Sequence, residues 1–210
     1  MDQIDHVYYI NLDHRTDRRA ELEGVLDDLE IPVEKRERIS AVYDAKFGAL
    51  GCIKSHIRTL ETFLQTNSTY CMILEDDFIY DNKEQFIQSI QTLFSQKVTF
   101  DLVQLAYNHN GIRYEETEYP ILKKVIKAGT TSGMIVHKAF AEQLVTNYKE
   151  SEALLSDFIE QHGRTEHHYC LDVYWQKLQP AANWFCFMPR LGHQRASYSD
   201  IENRHTDYGV

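Results

Sequence analysis

The sequence has 210 residues, the size of one domain or of one domain with a small appendage. Hydrophobic residues make up 43% and charged residues 26%, with 9 Gly and 4 Pro, which excludes a collagenous, disordered or low-complexity chain. Lys and Arg number 22 against 32 Asp and Glu, a net charge of −10, so no nucleic-acid partner is expected, because phosphate backbones are bound by cationic surfaces. No run of about 20 apolar residues is present, so no membrane-spanning helix is expected. The start MDQIDHVYYINLDHR lacks the basic residues and long apolar stretch of a secretory signal. Cys52, Cys71, Cys170 and Cys186 are far apart, show no CxxC pairing, and read as free thiols of a cytoplasmic protein. Asn67-Ser68-Thr69 has the form of a glycosylation acceptor but reads as an exposed polar turn.

Residues 7–12 are short, apolar and rich in β-branched and aromatic types, which predicts a buried strand running into a polar loop. Leu22, Val25, Leu26 and Leu29 then recur at helical spacing behind Thr16 or Asp17 as cap, and Ile31-Pro32 ends that helix. Residues 36–42 predict a second strand, and Leu50, Ile53, Ile57, Leu60 and Leu64 mark one face of a long helix. Residues 70–74 form a fully buried strand by composition, ending abruptly in Glu75, Asp76 and Asp77. Phe86, Ile87, Ile90, Leu93 and Phe94 give the next helix, and residues 101–107 the next strand. Residues 113–127 predict an antiparallel excursion around Pro120, followed by a strand at 132–137, a helix at 138–148 and a polar helix reaching His162. Residues 171–178 read as helical and 184–188 as a strand, and from Pro189 the chain is polar. This alternation predicts an α/β fold with a largely parallel central sheet flanked by helices and ligands at the carboxyl ends of the strands. No internal repeat or linker divides the chain.

The acidic triplet sits at the mouth of such a sheet. Three adjacent carboxylates repel, and a divalent cation bridged to a diphosphate relieves them. Taken alone, the triplet fits a solvated strand end equally well, and metal-dependent phosphohydrolases share it. In the loop NLDHRTDRR, Arg15 and Arg18 suit a nucleotide diphosphate, whereas Arg19 reads as pairing with acids on a solvated helix face. Gly48, Gly51 and Ser55 form a small-residue stripe that lets another backbone or a planar ligand come close. His56 beside them reads as structural, and His162, His167 and His168 as surface residues.

INLDHRTDRR, GALGCIKSHIRTLE, YCMILEDDFIY, GTTSGMIVHKAFAEQL, Leu171-Asp172-Val173 and PRLGHQRASYSDI follow one another in this order over nearly the whole chain. Together they resemble glycosyltransferase family 25, which contains the lipopolysaccharide-type and the procollagen (hydroxylysine) galactosyltransferases; the single-domain size is similar to its minimal bacterial or viral members. The resemblance implies a GT-A-like fold, a UDP-sugar donor, Mn2+ (or Mg2+), and inverting transfer of a hexose, galactose first, to a hydroxyl of hydroxylysine in a collagen-like protein or of a saccharide. It implies one domain over 1–210, with a nucleotide-binding half at 1–110, an acceptor-side half at 111–190 and a polar tail at 191–210. Asn11, Arg15, Arg18, Ser55, Glu75 and Asp76 are then expected at the nucleotide sugar, and Glu75, Asp77 and His193 at the metal. The motif reads EDD in place of DxD, which leaves the division of roles between Glu75 and Asp76 open. A carboxylate must also take the proton of the acceptor hydroxyl. Asp172 is expected to do so, ahead of Asp157 and Glu166, with Tyr174 and Trp175 able to stack on a sugar ring. The tail, carrying His193, Arg195, Arg204 and His205 on few apolar residues, is expected to order over the donor and exclude water. The acidic charge favours a Lys-bearing protein acceptor, and a homo-oligomer is allowed. A metal-dependent phosphohydrolase or nucleotidyltransferase, or a non-catalytic subunit of a glycosylation complex, are the competing readings.

Overall fold

Strand β1 (His6–Asn11) opens the fold and is followed by helix α1 (Thr16–Asp28), β2 (Arg36–Ser40), α2 (Gly48–Leu64), β3 (Tyr70–Glu75), the short β4 (Phe78–Tyr80), α3 (Lys83–Ser95) and β5 (Leu102–Gln104). The hairpin β6 (Arg113–Glu115) and β7 (Leu122–Lys127) comes next, then β8 (Gly133–His137), α4 (Lys138–His162), α5 (Leu171–Tyr174), β9 (Trp184–Phe187), β10 (Gly192–Gln194), and the pair β11 (Ser197–Ser199) and β12 (Arg204–Thr206). These assignments come from a computed structural model that describes residues 3–199 and 204–206.

Eight strands form one sheet in the order β2-β1-β3-β8-β5-β9-β7-β6. β2, β1, β3, β5, β9 and β6 run one way, while β7 and β8 run against them. The sheet is therefore largely parallel in strand direction but antiparallel at its centre, where Ile135 of β8 lies between Met72 of β3 and Val103 of β5. The hairpin at Pro120 turns the chain round, and the reversed direction carries through β7 into β8.

Alternation along the buried strands sets the layers, because successive side chains leave opposite faces. Tyr8, Ile10, Cys71 and Ile73 join a core with Ile53, Ile57 and Leu60 of α2 and Phe140 and Leu144 of α4. Val7, Tyr9, Met72 and Leu74 join the other core, with Leu22 and Leu26 of α1 and Phe86, Ile90 and Leu93 of α3. Where the sequence reads as two helices, α4 is one helix of 25 residues ending at Gly163. Nothing in 138–162 breaks it, since the stretch contains neither Gly nor Pro.

The start of the tail is held, contrary to expectation. Leu191 is buried, and β10 pairs antiparallel with β4, Gly192 opposite Tyr80 and Gln194 opposite Phe78. A Cβ on residue 192 would lie 2.5 Å from the Ile79 carbonyl and from the Phe78 ring, so only glycine permits this approach. Backbone hydrogen bonds, with the burial of Leu191, supply the attachment. The side chains of Arg204 and His205, and all of 200–203 and 207–210, lie outside the described residues. Among the described residues no helix is long and apolar enough to cross a membrane, and the four cysteines are free.

Candidate active site

The carboxyl ends of β1 and β3 lie side by side, with Ile10 opposite Glu75. The sheet therefore delivers Asn11 and the triplet Glu75, Asp76 and Asp77 to one place, and α1, starting just beyond β1, adds Arg18 from its first turn. Asn11 Nδ2 donates to Asp76 Oδ2 at 2.8 Å, and Arg18 donates to Asp76 Oδ1 at 2.7 Å. The same guanidinium stands 3.4 Å from Asp77 Oδ2. Glu75 Oε1 accepts from Thr131 Oγ1 at 2.6 Å and lies 2.9 Å from His56 Nε2. Asp77 is loosely held: Gln194 Nε2 donates to its Oδ1 at 3.4 Å, while its backbone carbonyl accepts from the Arg195 amide at 2.8 Å.

Asp76 and Asp77 are 7% and 6% exposed and Arg18 is 9% exposed, so these charges act on one another with little solvent between them. Burial raises the Asp77 carboxyl to about 7, Glu75 and Asp76 adding to the rise and Arg18 opposing it. Burial also lifts Asp76 above the ordinary carboxylate value against the pull of Arg18 and Asn11. For Glu75 burial works the same way, but the hydrogen bonds of His56 and Thr131 outweigh it and hold the group below its ordinary value. The buried Asp76 and Asp77 and the partly exposed Glu75 thus face the Arg18 guanidinium, and burial raises most the carboxyl with the weakest attachments, that of Asp77. Oxygen donors of this kind suit a hard divalent cation such as Mn2+ or Mg2+, although as they stand the three carboxylates are not gathered within 4.8 Å of one another.

An open cleft of about 750 Å3, counting its mouth, lies over the cluster. Arg18, the loop 41–44 after β2, one face of α2 and Gln194 form its walls. Ser55 lines this cleft, but its hydroxyl donates to the Gly51 carbonyl at 2.6 Å and accepts from the Val42 amide at 2.8 Å. A Cβ on residue 51 would lie 2.4 Å from the Val42 carbonyl. The partner of the small-residue stripe is therefore the backbone of the loop after β2, and Ser55 shapes the cleft wall.

Arg15 is turned to Asp17, donating to its two oxygens at 3.0 and 2.9 Å, and does not line the cleft. Arg19 pairs with Glu23 at 2.8 Å on the outer face of α1. His193 Nδ1 lies 2.5 Å from Asp81 Oδ1, on the opposite side of β10 from Gln194. Asp172, at the start of α5, sits outside the cleft lining, its Oδ2 accepting from the Thr130 amide at 3.2 Å. Burial raises its carboxyl above the ordinary value, the Thr130 amide opposing and Glu75 adding. The loop 128–132 links Asp172 to the acids, since Thr130 Oγ1 donates to Gln194 Oε1 at 3.1 Å and Thr131 holds Glu75.

The aromatic pair after Asp172 differs from expectation. Trp175 is fully buried, with Nε1 donating to the Ala128 carbonyl at 3.1 Å, so it is a core residue and cannot stack on a sugar. Tyr174 is covered by Lys177, whose Nζ lies 3.9 Å from the ring centroid. Asp157, His162, His167 and His168 are exposed, and Glu166 lies 3.6 Å from Arg164. Three residues that hold the cluster, Gln194, Thr131 and His56, carry no sequence signal that assigns them to it.

Two solved structures show how this fold is classed. A mannose-1-phosphate geranyltransferase from Thermus thermophilus superposes with a TM-score of 0.51 at 10% identity, over 95% of this chain and 76% of that one. A glycosyltransferase involved in the glycosylation of the major capsid of PBCV-1 does so with a TM-score of 0.50 at 13% identity, over 94% and 95%. At such identities the likeness is one of fold, and the fold is GT-A-like. The model of glycosyltransferase family 25 (LPS biosynthesis protein) matches residues 45–159, and the chain belongs to that family. The matched span includes Ser55, His56, the acidic triplet and Thr131; Asn11, Arg18, Asp172 and Gln194 lie outside it. No curated protein matches the chain significantly. Family membership makes the protein a glycosyltransferase, with a sugar donor and an acceptor.

Proposed function

We propose that the protein is an inverting, divalent-cation-dependent transferase that moves a hexose, galactose first, from a UDP-sugar to an acceptor hydroxyl. The observation that carries this reading is the triplet of carboxylates, Asp76 and Asp77 of it buried, with the Arg18 guanidinium against them, at the floor of an open cleft in a family 25 chain. Asp77 holds the cation, with Glu75 or Asp76 beside it. When bound, the cation neutralises charge on the departing diphosphate, the work a general acid does elsewhere. Arg18 keeps the acids in register and presents a cationic edge to the phosphates from the cleft wall. Asp172 takes the proton of the acceptor hydroxyl, its affinity for that proton raised by burial. The sugar passes through an oxocarbenium-like state as its bond to the diphosphate breaks. A Lys-bearing, collagen-like protein suits a molecule of net charge −10 better than a neutral saccharide does.

A donor screen tests the reading. UDP-galactose, UDP-glucose and UDP-N-acetylglucosamine are offered with Mn2+ or with EDTA, against hydroxylysine peptides and simple saccharides, and both UDP release and product configuration are followed. Cation-dependent transfer from UDP-galactose with inverted configuration is expected. Nucleotide breakdown without a glycosylated product would show a hydrolase.

A further inference from the structure

Cys52 and His56 stand four residues apart on α2 and so share one face of the helix. That face meets the end of β3 at Glu75. One ligand atom from each of the three residues, a thiol sulfur, an imidazole nitrogen and a carboxylate oxygen, lies within 4.8 Å of the others. All three residues line the cleft. His56 is fully buried, with Nε2 at 2.9 Å from Glu75 Oε1, while its other ring nitrogen, Nδ1, has no hydrogen-bond partner among the described residues.

We propose that Cys52, His56 and Glu75 form a second cation site, one for a borderline-soft divalent ion of the Zn2+ type, and that its occupation inhibits the enzyme. Sulfur and imidazole donors select such ions, while Mn2+ and Mg2+ prefer all-oxygen sets. Tetrahedral Zn2+ with bonds of about 2.0–2.3 Å places its ligands about 3.3–3.7 Å apart, so closure needs side-chain shifts on the order of 1 Å. Three protein ligands leave a fourth position, and here it faces the open cleft. On binding, the Cys52 thiol gives its proton to solvent and becomes the thiolate ligand.

Inhibition follows because Glu75 belongs to both clusters. A soft ion between Cys52 and Glu75 replaces the His56–Glu75 hydrogen bond and takes one carboxylate away from the hard-cation side, where Asp76 and Asp77 lie. The binding site stands independently of the transfer reaction; the inhibition rests on the proposed function.

Co2+ is the probe, added to the full-length protein after treatment with EDTA and desalting. One Co2+ per chain with a thiolate-to-cobalt charge-transfer band in the near ultraviolet is expected, and added Zn2+ abolishes the band by displacement. The band is expected to vanish in Cys52→Ser and Cys52→Ala, both checked for folding by circular dichroism, and to persist in Cys170→Ser. Absence of the band, or its survival in a folded Cys52 variant, overturns the site. For the consequence, Zn2+ is added to Mn2+-supported sugar transfer. With each protein referred to its own rate in Mn2+ alone, inhibition of the wild type but not of Cys52→Ser is expected, and equal fractional inhibition of both overturns the regulatory role. A protein that gives the Cys52-dependent band but transfers sugar from no UDP donor overturns the proposed function and leaves the cation site standing.

Discussion

Replacing Asp77 by Asn should stabilise the cation-free protein, and by more as the pH rises. The folded carboxyl keeps its proton to about pH 7, while the unfolded chain releases it near the ordinary value of 3.8. Between those values the folded state binds more protons, so its stability falls as pH rises through the window; below it no penalty exists and above it the penalty is complete. From pH 5 to pH 8 the wild type crosses about 2 units of this window, and at 1.36 kcal/mol per unit the advantage of Asn grows by about 3 kcal/mol. Asp77 and Glu75 titrate together, so the slope belongs to the pair. For a chain of this length such a difference moves Tm by about 6–12 °C. Urea unfolding of both proteins in EDTA at pH 5, 6, 7 and 8 measures the difference directly, and any pH-independent effect of the amide cancels. Saturating Mn2+ should reverse the order at pH 8, because it stabilises only the protein that binds it. A mutant-minus-wild-type difference that is flat across the four pH values would refute the picture of a buried, charge-deficient cluster.

Three further outcomes are expected. Arg18→Met should cost about 3–5 kcal/mol at pH 8, since it leaves Asp76 and Asp77 buried without their guanidinium; a loss under about 1 kcal/mol in urea unfolding would place the pair in effective contact with water. Asp172→Asn should lower sugar transfer at least about 100-fold while calorimetry finds UDP bound as in the wild type, and transfer at the normal rate would move the base elsewhere. Gly51→Ala forces a methyl group to 2.4 Å from the Val42 carbonyl and should cost about 1–3 kcal/mol, so a variant melting with the wild type would mean that the loop after β2 shifts freely.

How much of this was legible depends on the kind of signal each element carries. β3 and α2 announce themselves, one as an unbroken apolar run stopped by three acids, the other by apolar residues at helical spacing, and Asn11 and Arg18 follow from their place at the end of β1 and just beyond it. β4 has three residues, too few for any periodicity, and its pairing with β10 depends on Gly192 meeting a strand more than a hundred positions away. That pairing decides which of two neighbours reaches the acids. His193 and Gln194 point to opposite sides of one strand, and no local pattern says which side faces Asp77. Thr131 becomes a partner of Glu75 because β8 enters beside β3, and His56 because α2 packs over the end of β3, and the insertion of β8 against its neighbours has no signature within residues 133–137. Trp175 failed as a sugar platform for a plain reason: a tryptophan in sequence looks the same whether its ring faces a ligand or the core.

The place of β8 between β3 and β5 has a consequence for how the molecule comes into being. During synthesis, β3 and β5 emerge well before residues 133–137, yet each needs β8 as a neighbour, and β5 has no other partner until residues 184–187 arrive. Until then both are apolar strands with open edges, the kind of segment that recruits other chains. Such distant pairings make folding slow, since loop closure precedes any gain from the contact. A fragment of residues 1–110 therefore has an unfinished sheet and is expected to aggregate when expressed alone, and the chain reaches its working form late, when Gln194 has been laid against Asp77.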